Sequence, residues 1–460
     1  MLALTAIVFT DVSRELNLVL ALFGSLALLA VFVTIKILSG GSWLSFGGLS
    51  GNMANPLGGW TDLGMVFGLL AVISALALGL VPAKRSFKIA LFSLFILSTA
   101  LLAVIHFSSA LTLSLIASVL LWLYFTKIES RFPNDTQISK PTLLPIALGV
   151  VSLIFLVNPV LSGGRHLGEI VSGYFGVSNA EVHPTLSSTL SISKAVLSKE
   201  ALFGSGPNTF GHDWLIYKPA EINATPFWGV EFPFGAGFIP TQISTTGVIG
   251  SIIWLAFFIL LIWLAVRILC SIPDNRMMRF ALVTSLVTSL FLWAAGFLYS
   301  PSSPVLIITF VFTGLMLALA YSAGILAAYR ATFSALPARP MARSVVALLV
   351  CGVLFLGWQE GKKALGAFHF KRAVDLSSVV GTSLDAISRE LEQAVEFAPL
   401  DTYYIAISRL NFSKAVTIAS SATGTPEENR IFFEQALGTS IEAAKSAVSA
   451  YPAGYVNWVV

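Results

Sequence analysis

The sequence predicts an all-α fold: a polytopic membrane bundle of about nine helices, with a long extracytoplasmic loop and a C-terminal helical-repeat domain. Three observations predict it. Of the 460 residues, 56% are hydrophobic and only 11% charged, against roughly 25% charged in a soluble domain. Mean hydropathy is +0.84. The apolar residues gather in runs long enough to cross a bilayer core about 30 Å thick, which takes roughly 20 residues of helix. Backbone groups in lipid must be satisfied internally, so such runs are helices.

The runs, in order, are Leu16–Leu38, Trp60–Val81, Phe87–Ile105, Ser109–Phe125, Leu143–Leu161, Val248–Leu269, Phe280–Leu298, Pro304–Leu326 and Val345–Trp358. They divide the chain into N-terminal transmembrane helices (1–161), a loop (162–245), C-terminal transmembrane helices (246–358) and a polar helical region (359–460).

Basic residues set the expected orientation. One set of connections carries Arg14, Lys84/Arg85/Lys88, Lys127/Arg131/Lys140, Arg267/Arg276/Arg279 and Arg330/Arg339/Arg343. The alternate connections outside the long loop are bare: GSWLSFGGLSGNMANPLGG, the turn at His106 and the stretch YSPSSP have neither Lys nor Arg. The positive-inside rule places the basic set in the cytoplasm. The long loop and everything after Trp358 then face out of the cytoplasmic (inner) membrane. The formal charge of +4 therefore reports topology rather than nucleic-acid binding. Cys270 and Cys351 fall in or beside apolar runs, so the loop has no disulfide framework or zinc pattern. The start, MLALTAIVFT, lacks a basic n-region and a small-residue cleavage site, so no cleaved signal peptide is expected. Asp62 and Lys36 sit near the outer ends of their helices and the interiors carry almost no charge, which disfavours a flippase-like transporter for polysaccharide or lipid.

Beyond Trp358 the chain is mixed polar with Ala-rich 3.6-residue periodicity. Alanines at 443, 447 and 450, then Pro452, then Asn457-Trp458 follow an earlier helix end at Pro399. That pattern resembles tetratricopeptide repeats. The prolines lie about 53 residues apart against roughly 34 in a regular repeat, and SSATGTPEEN accounts for an insertion. Because the chain stops at Trp458-Val-Val, where a new helix should begin, a truncated C-terminus is expected, and separately a missing helix or more at the N-terminus.

Chemistry is expected in the loop. Its glycine motif, GSGPNTF at Gly204–Phe210, includes Gly206 and Asn208. Glycines let backbone N–H groups approach an anion; the plainer reading is a surface turn. No Lys-Ser/Thr pair follows, so it is not a P-loop. Arg165, His166, His183, Lys194, Lys199, His212 and Lys218 form a cationic set, with Glu169, Glu181, Glu200, Asp213, Glu221 and Glu231. Arg gives bidentate and Lys point-charge contacts to a diphosphate, and His is a general base near neutral pH. For each the plainer reading is a solvated charge. Adjacent residues rarely form a working dyad, so His212 is weighed without Asp213. Pro226–Gly250 is aromatic and Gly-rich around Glu231, suited either to stacking on sugars or to a membrane-interface belt. Asp62 in NPLGGWTDLG faces the same side; helix capping is its plainer role.

These pieces resemble the O-antigen ligase/polymerase-related membrane glycosyltransferases. FGSGPNTF is similar to that family's PLFGxGxGxF segment, TTGVIGSIIWL to its ETGxxGxxxxL helix entry, and SGNMANPLGGWTDLG to its Gly/Asn-Pro segment. An appended tetratricopeptide region occurs in relatives. The resemblance spans most of Ser39–Leu269 and implies glycan transfer from a polyprenyl-diphosphate carrier to an acceptor hydroxyl on a glycan, lipid or protein. It implies no metal, no nucleotide and no other cofactor. Family members bind the diphosphate with loop arginines and use a loop histidine near a His-Asn pair. Counting back from Gly247, that pair falls near Ala236-Gly237, so the histidine is missing. The arginine expected upstream of the glycine motif is missing too, with His183 or Lys194 available in its place; Arg165 is the loop's arginine. Either the site uses other groups or the chemistry is lost or changed. The first reading makes Arg165 and Lys194 the diphosphate holders, with Gly204, Gly206, Asn208 and Asp62 shaping the substrate site. His212, Glu231 or His183 would be the base. The second is a non-catalytic scaffold whose C-terminal repeats bind a protein partner.

Overall fold

The computed structural model describes residues 12–41, 43–44, 55–132, 142–161, 164–177, 182–326, 338–379, 381–420, 425–452 and 454–459. Lys140, Glu181, Arg330, 50–54 of the Gly/Asn-Pro segment and part of the expected repeat insertion lie outside them, as do the side chains of Arg339 and Arg343. The chain divides into two compact units, 1–328 and 329–460. Among the described residues the fold is helical, with no strand beyond one isolated bridge between Val160 and His166.

The first unit holds α1 (Val12–Leu38), α2 (Trp60–Leu80), α3 (Arg85–Ile105), α4 (Ser108–Leu123), α5 (Leu143–Val157), α6 (Leu167–Tyr174), α7 (Leu186–Leu197), α8 (Phe210–Tyr217), α9 (Phe238–Cys270), α10 (Arg276–Leu298) and α11 (Ser303–Ser322). Seven of them, α1 to α4 and α9 to α11, are long and apolar enough to cross a membrane. The chain is accordingly read as a multi-pass membrane protein. The sequence placed a span at Leu143–Leu161. There α5 is 15 residues, about 22 Å, because Asn158 turns left-handed (φ 48°) before Pro159.

α2 is the central helix and is buried almost throughout. Gly64 and Gly68, four apart, let α4 close in. Ile105, Phe107 and Ala110 surround Gly64, and Ser114 fills the space over Gly68. Small residues at this spacing allow close helix contact where lipid offers no hydrophobic drive. α9 lies at the edge, with much of its surface exposed, and packs on α10 through Trp254, Phe257 and Phe258 against Trp293, with ring centroids 5.0–5.6 Å apart. At the bundle end opposite the long loop, α4 continues into a π-helical turn, Tyr124–Ile128. Arg279, one of the basic residues assigned above to the cytoplasmic side, is fully buried and paired with Glu129 at 3.0 Å. Tyr124 donates to the same carboxylate at 3.1 Å. A charge buried this deeply persists only when paired.

The second unit holds α12 (Ala338–Ser377), α13 (Leu384–Phe397), α14 (Asp401–Ser420) and α15 (Pro426–Ala450). α12 is 40 residues long and runs through the boundary expected at Trp358. α14 and α15 pair along Ala415, Ala436, Ala443 and Ala447, with Ser440 donating to the Ser408 carbonyl at 2.9 Å. The Asn457 amide closes this pair on the Ala447 and Tyr451 carbonyls and on Asp401. Phe370 stacks on Tyr403 at 4.9 Å where α12 meets α13 and α14.

Candidate functional site

The site grows from a broken helix. Inside α9, Gly247 leaves the helical region (φ 67°, ψ −164°), splitting it into 238–246 and 248–270. A break orphans carbonyls at the end of one half and N–H groups at the start of the next. Here residues 201–206 pair them. Ser205 and Gly206 donate to the Ser244 and Thr245 carbonyls at 3.0 and 3.1 Å, while Val248 and Ile249 donate to the Ala201 and Leu202 carbonyls at 2.9 and 3.2 Å. Two glycines permit the crossing. Gly204 has φ +68°, and a Cβ there would collide with the Ser244 carbonyl. A Cβ on Gly247 would lie 2.5 Å from both Gly204 N and Leu202 O. The glycine motif and the helix entry, separate landmarks in the sequence, are one backbone contact.

The motif then turns into α8. Gly206 and Asn208 also have positive φ (104° and 64°). Ser205 donates to Asp213 Oδ2 at 2.5 Å and lies 2.7 Å from Thr209 Oγ1, which donates to the Gly206 carbonyl at 2.6 Å. With Asp213 ionised, the two hydroxyl protons are spent on Asp213 and Gly206, and the Ser205–Thr209 contact has none. A proton on the carboxyl would give every contact its own hydrogen. Burial pushes the Asp213 carboxyl up from its ordinary range, with Glu200 adding to the rise; the Ser205 hydrogen bond and His212 oppose it. Asp213 was set aside in the sequence as the neighbour of His212. The spacing Ser205, Thr209, Asp213, four apart each time, was the available signal.

The remaining groups surround this knot. Ile192 and Val196 of α7 pack with Phe210 and Trp214 of α8 in a small apolar core. Trp214 donates to the Val230 carbonyl at 3.0 Å and meets Phe232 edge-on at 5.0 Å, which ties the aromatic segment down. Glu231 lies over Gly211, where a Cβ would come 2.5 Å from its Oε1, so its carboxylate sits near the positive end of α8. Lys194, Asn208 and Glu231 are exposed and His212 half-exposed, and among the described residues none of these side chains has a hydrogen-bond or ion-pair partner. Lys199 instead lies over the Tyr217 ring, and Lys218 donates to the Trp228 carbonyl.

Three predicted residues belong elsewhere. Arg165 is exposed on a turn whose backbone pairs with Leu161 at 3.0 Å. That turn is pinned by Asn158, which accepts from the Gly168 amide at 2.8 Å, and α6 is joined to α3 through Ser172 on the Val104 carbonyl at 3.0 Å. Among the described residues no hydrogen bond or ion pair links Arg165 to Lys194 or the glycine motif. His183 is exposed ahead of α7, its Nδ1 3.0 Å from the Pro184 carbonyl. Asp62 is buried, not open to a substrate. It accepts from the Tyr299 hydroxyl at 2.9 Å and from the Ser302 and Gly59 amides at 3.2 Å each. It therefore fixes the α10–α11 turn, and Tyr299 in turn accepts from Phe238 N at 3.1 Å.

Where the resemblance would put the His-Asn pair, Ala236 is buried and its neighbours are packed tightly. A Cβ on Gly237 would lie 2.6 Å from the Phe297 carbonyl, and Gly235 is pressed against Thr189. Thr189 also accepts from the Ala236 amide at 2.9 Å. This stretch serves as a close-packed strap between α7, α9 and α10. Comparisons with family models, curated proteins and solved structures find no match to the chain.

Proposed function

We propose that the chain is a membrane glycosyltransferase of the O-antigen ligase type, moving a glycan from a polyprenyl-diphosphate carrier to an acceptor hydroxyl outside the cytoplasmic membrane. One observation carries the reading: the two motifs that suggested the family, some 40 residues apart in sequence, meet at Gly204 and Gly247 beside the end of an apolar, membrane-length helix. Two exposed or half-exposed polar groups without a hydrogen-bond or ion-pair partner among the described residues, His212 and Glu231, lie by Gly211 at the start of α8. His212 or Glu231, flanking Gly211, serves as general base on the acceptor hydroxyl. Lys194 supplies positive charge for the departing diphosphate. Arg165, on its own turn, reaches the site only through a bound donor long enough to span both. With a buried alanine, Ala236, where the resemblance expects the histidine, the base is drawn from α8 and the aromatic segment.

The cellular test is the pool of polyprenyl-linked glycan. In cells that depend on this chain, His212→Ala and Glu231→Ala are expected to raise that pool, with at least one lowering transfer 10²-fold or more. Wild-type pools in both variants would remove the assigned base.

A second reading has its own observation. The second unit carries a groove of about 860 Å³ between α14, α15 and the turn at Trp458, lined by Arg409, Phe412, Ile441, Val448 and Trp458. A protein partner held there fits a repeat-like domain, either as a scaffold or as a companion to transfer.

A further inference from the structure

We infer that residues 201–206 are embedded in the bilayer, with Leu202 and Phe203 facing hydrocarbon, so that the glycine motif sits at the membrane surface rather than in free solution. The inference rests on the membrane reading of α9 and stands independently of the transfer reading.

The half-helix 248–270 has 23 residues, about 35 Å, enough by itself for a core about 30 Å thick. Its exposed surface is apolar from the first turn, with Val248, Ile249, Ile252 and Ile253 uncovered by protein. The lipid-facing row therefore begins at the break. Residues 201 and 202 are hydrogen-bonded to the amides of Val248 and Ile249, which places them level with that first turn. Leu202 is 60% exposed and Phe203 71% exposed. Two adjacent apolar side chains left open, continuous with a lipid-facing row, extend that row.

The pairing at the break points the same way. Ser244 and Thr245 carbonyls and Val248 and Ile249 amides are all taken up by the loop. In lipid, irregular backbone survives only when protein completes its hydrogen bonds. The flanks fit an interfacial tip: Lys199 and Glu200 precede it and Pro207-Asn208 follow, all exposed. The covering partner is thus the acyl and headgroup boundary of a membrane.

The test uses the full chain in liposomes with Cys270 and Cys351 replaced by alanine. Single cysteines at Leu202, Phe203, Asn208 and Glu221 carry a nitroxide, and collision with oxygen or with a water-soluble nickel chelate is read by power saturation. Oxygen should dominate at 202 and 203, and nickel at 208 and 221. Nickel access at 202 and 203 equal to that at 208 would overturn the inference. Protection from both reagents would overturn it too, since it would mean a protein cover such as a second copy. On the unsubstituted chain, a carbene-generating probe dissolved in the bilayer should label 201–206 along with 248–270. Labelling of 248–270 alone would count against it.

Discussion

Asp213 is the residue on which the loop's internal order turns. It is buried, and its carboxyl is held above its ordinary range mainly by that burial. The sign follows from linkage. A carboxyl that binds its proton more tightly when folded stabilises the fold at low pH, and that contribution is lost as pH rises from the ordinary carboxylate range through the raised value. Protection factors of the Ser205 and Gly206 amides should therefore fall across that window in the wild type. Asp213→Asn keeps a donor toward Ser205 and should flatten the dependence. Asp213→Ala, which leaves Ser205 and Thr209 short of a partner, should cost about 1–3 kcal/mol. An unchanged pH profile in Asp213→Asn would show that the proton resides elsewhere. The residue was legible only as half of an unpromising His-Asp pair. Its partners, Ser205 and Thr209, looked like ordinary turn residues until the turn brought them onto one side of α8.

At the scale of elements, the broken helix and the loop that completes it form one unit. Both glycines were visible in the sequence as parts of short motifs. What the sequence did not show was that each makes room for the other, because a positive φ and a backbone crossing leave no trace beyond the letter G. Gly204→Ala should destabilise the chain by about 1–2 kcal/mol through its left-handed backbone alone, and further through the collision with Ser244. Gly247→Ala should behave alike. Gly173→Ala, in open space on α6, should stay within about 0.5 kcal/mol. Thermal unfolding of the purified chain in detergent distinguishes these outcomes, and equal stability of Gly204→Ala and Gly173→Ala would refute the crossing. Helix ends were harder to read. Asn158 stops α5 early although the apolar run continues to Leu161, since a left-handed residue before proline outweighs hydropathy. α12 runs unbroken across the boundary drawn at Trp358, because a change in composition does not end a helix that lacks a cap or breaker there.

For the whole molecule, composition made the helical membrane class plain, since 11% charge and apolar runs of spanning length leave few alternatives. The site was less legible. Lys194, Gly204, Gly206, Asn208, His212 and Glu231 belong to one assembly of α7, α8 and the head of α9, whereas Asp62 proved a buried clamp and Arg165 lies on a separate turn. Long-range placement of loops depends on tertiary contacts such as Trp214 on Val230, which no local pattern encodes. The direct test of transfer is a reconstitution. The purified chain in liposomes is given a polyprenyl-diphosphate-linked oligosaccharide and a hydroxyl acceptor, and free polyprenyl diphosphate and glycosylated acceptor are measured by mass spectrometry. The account predicts equal release of both, without added metal or nucleotide, and a loss of at least 10²-fold when His212 and Glu231 are both replaced. Release that is absent in the wild type, or untouched by the double replacement, would contradict it.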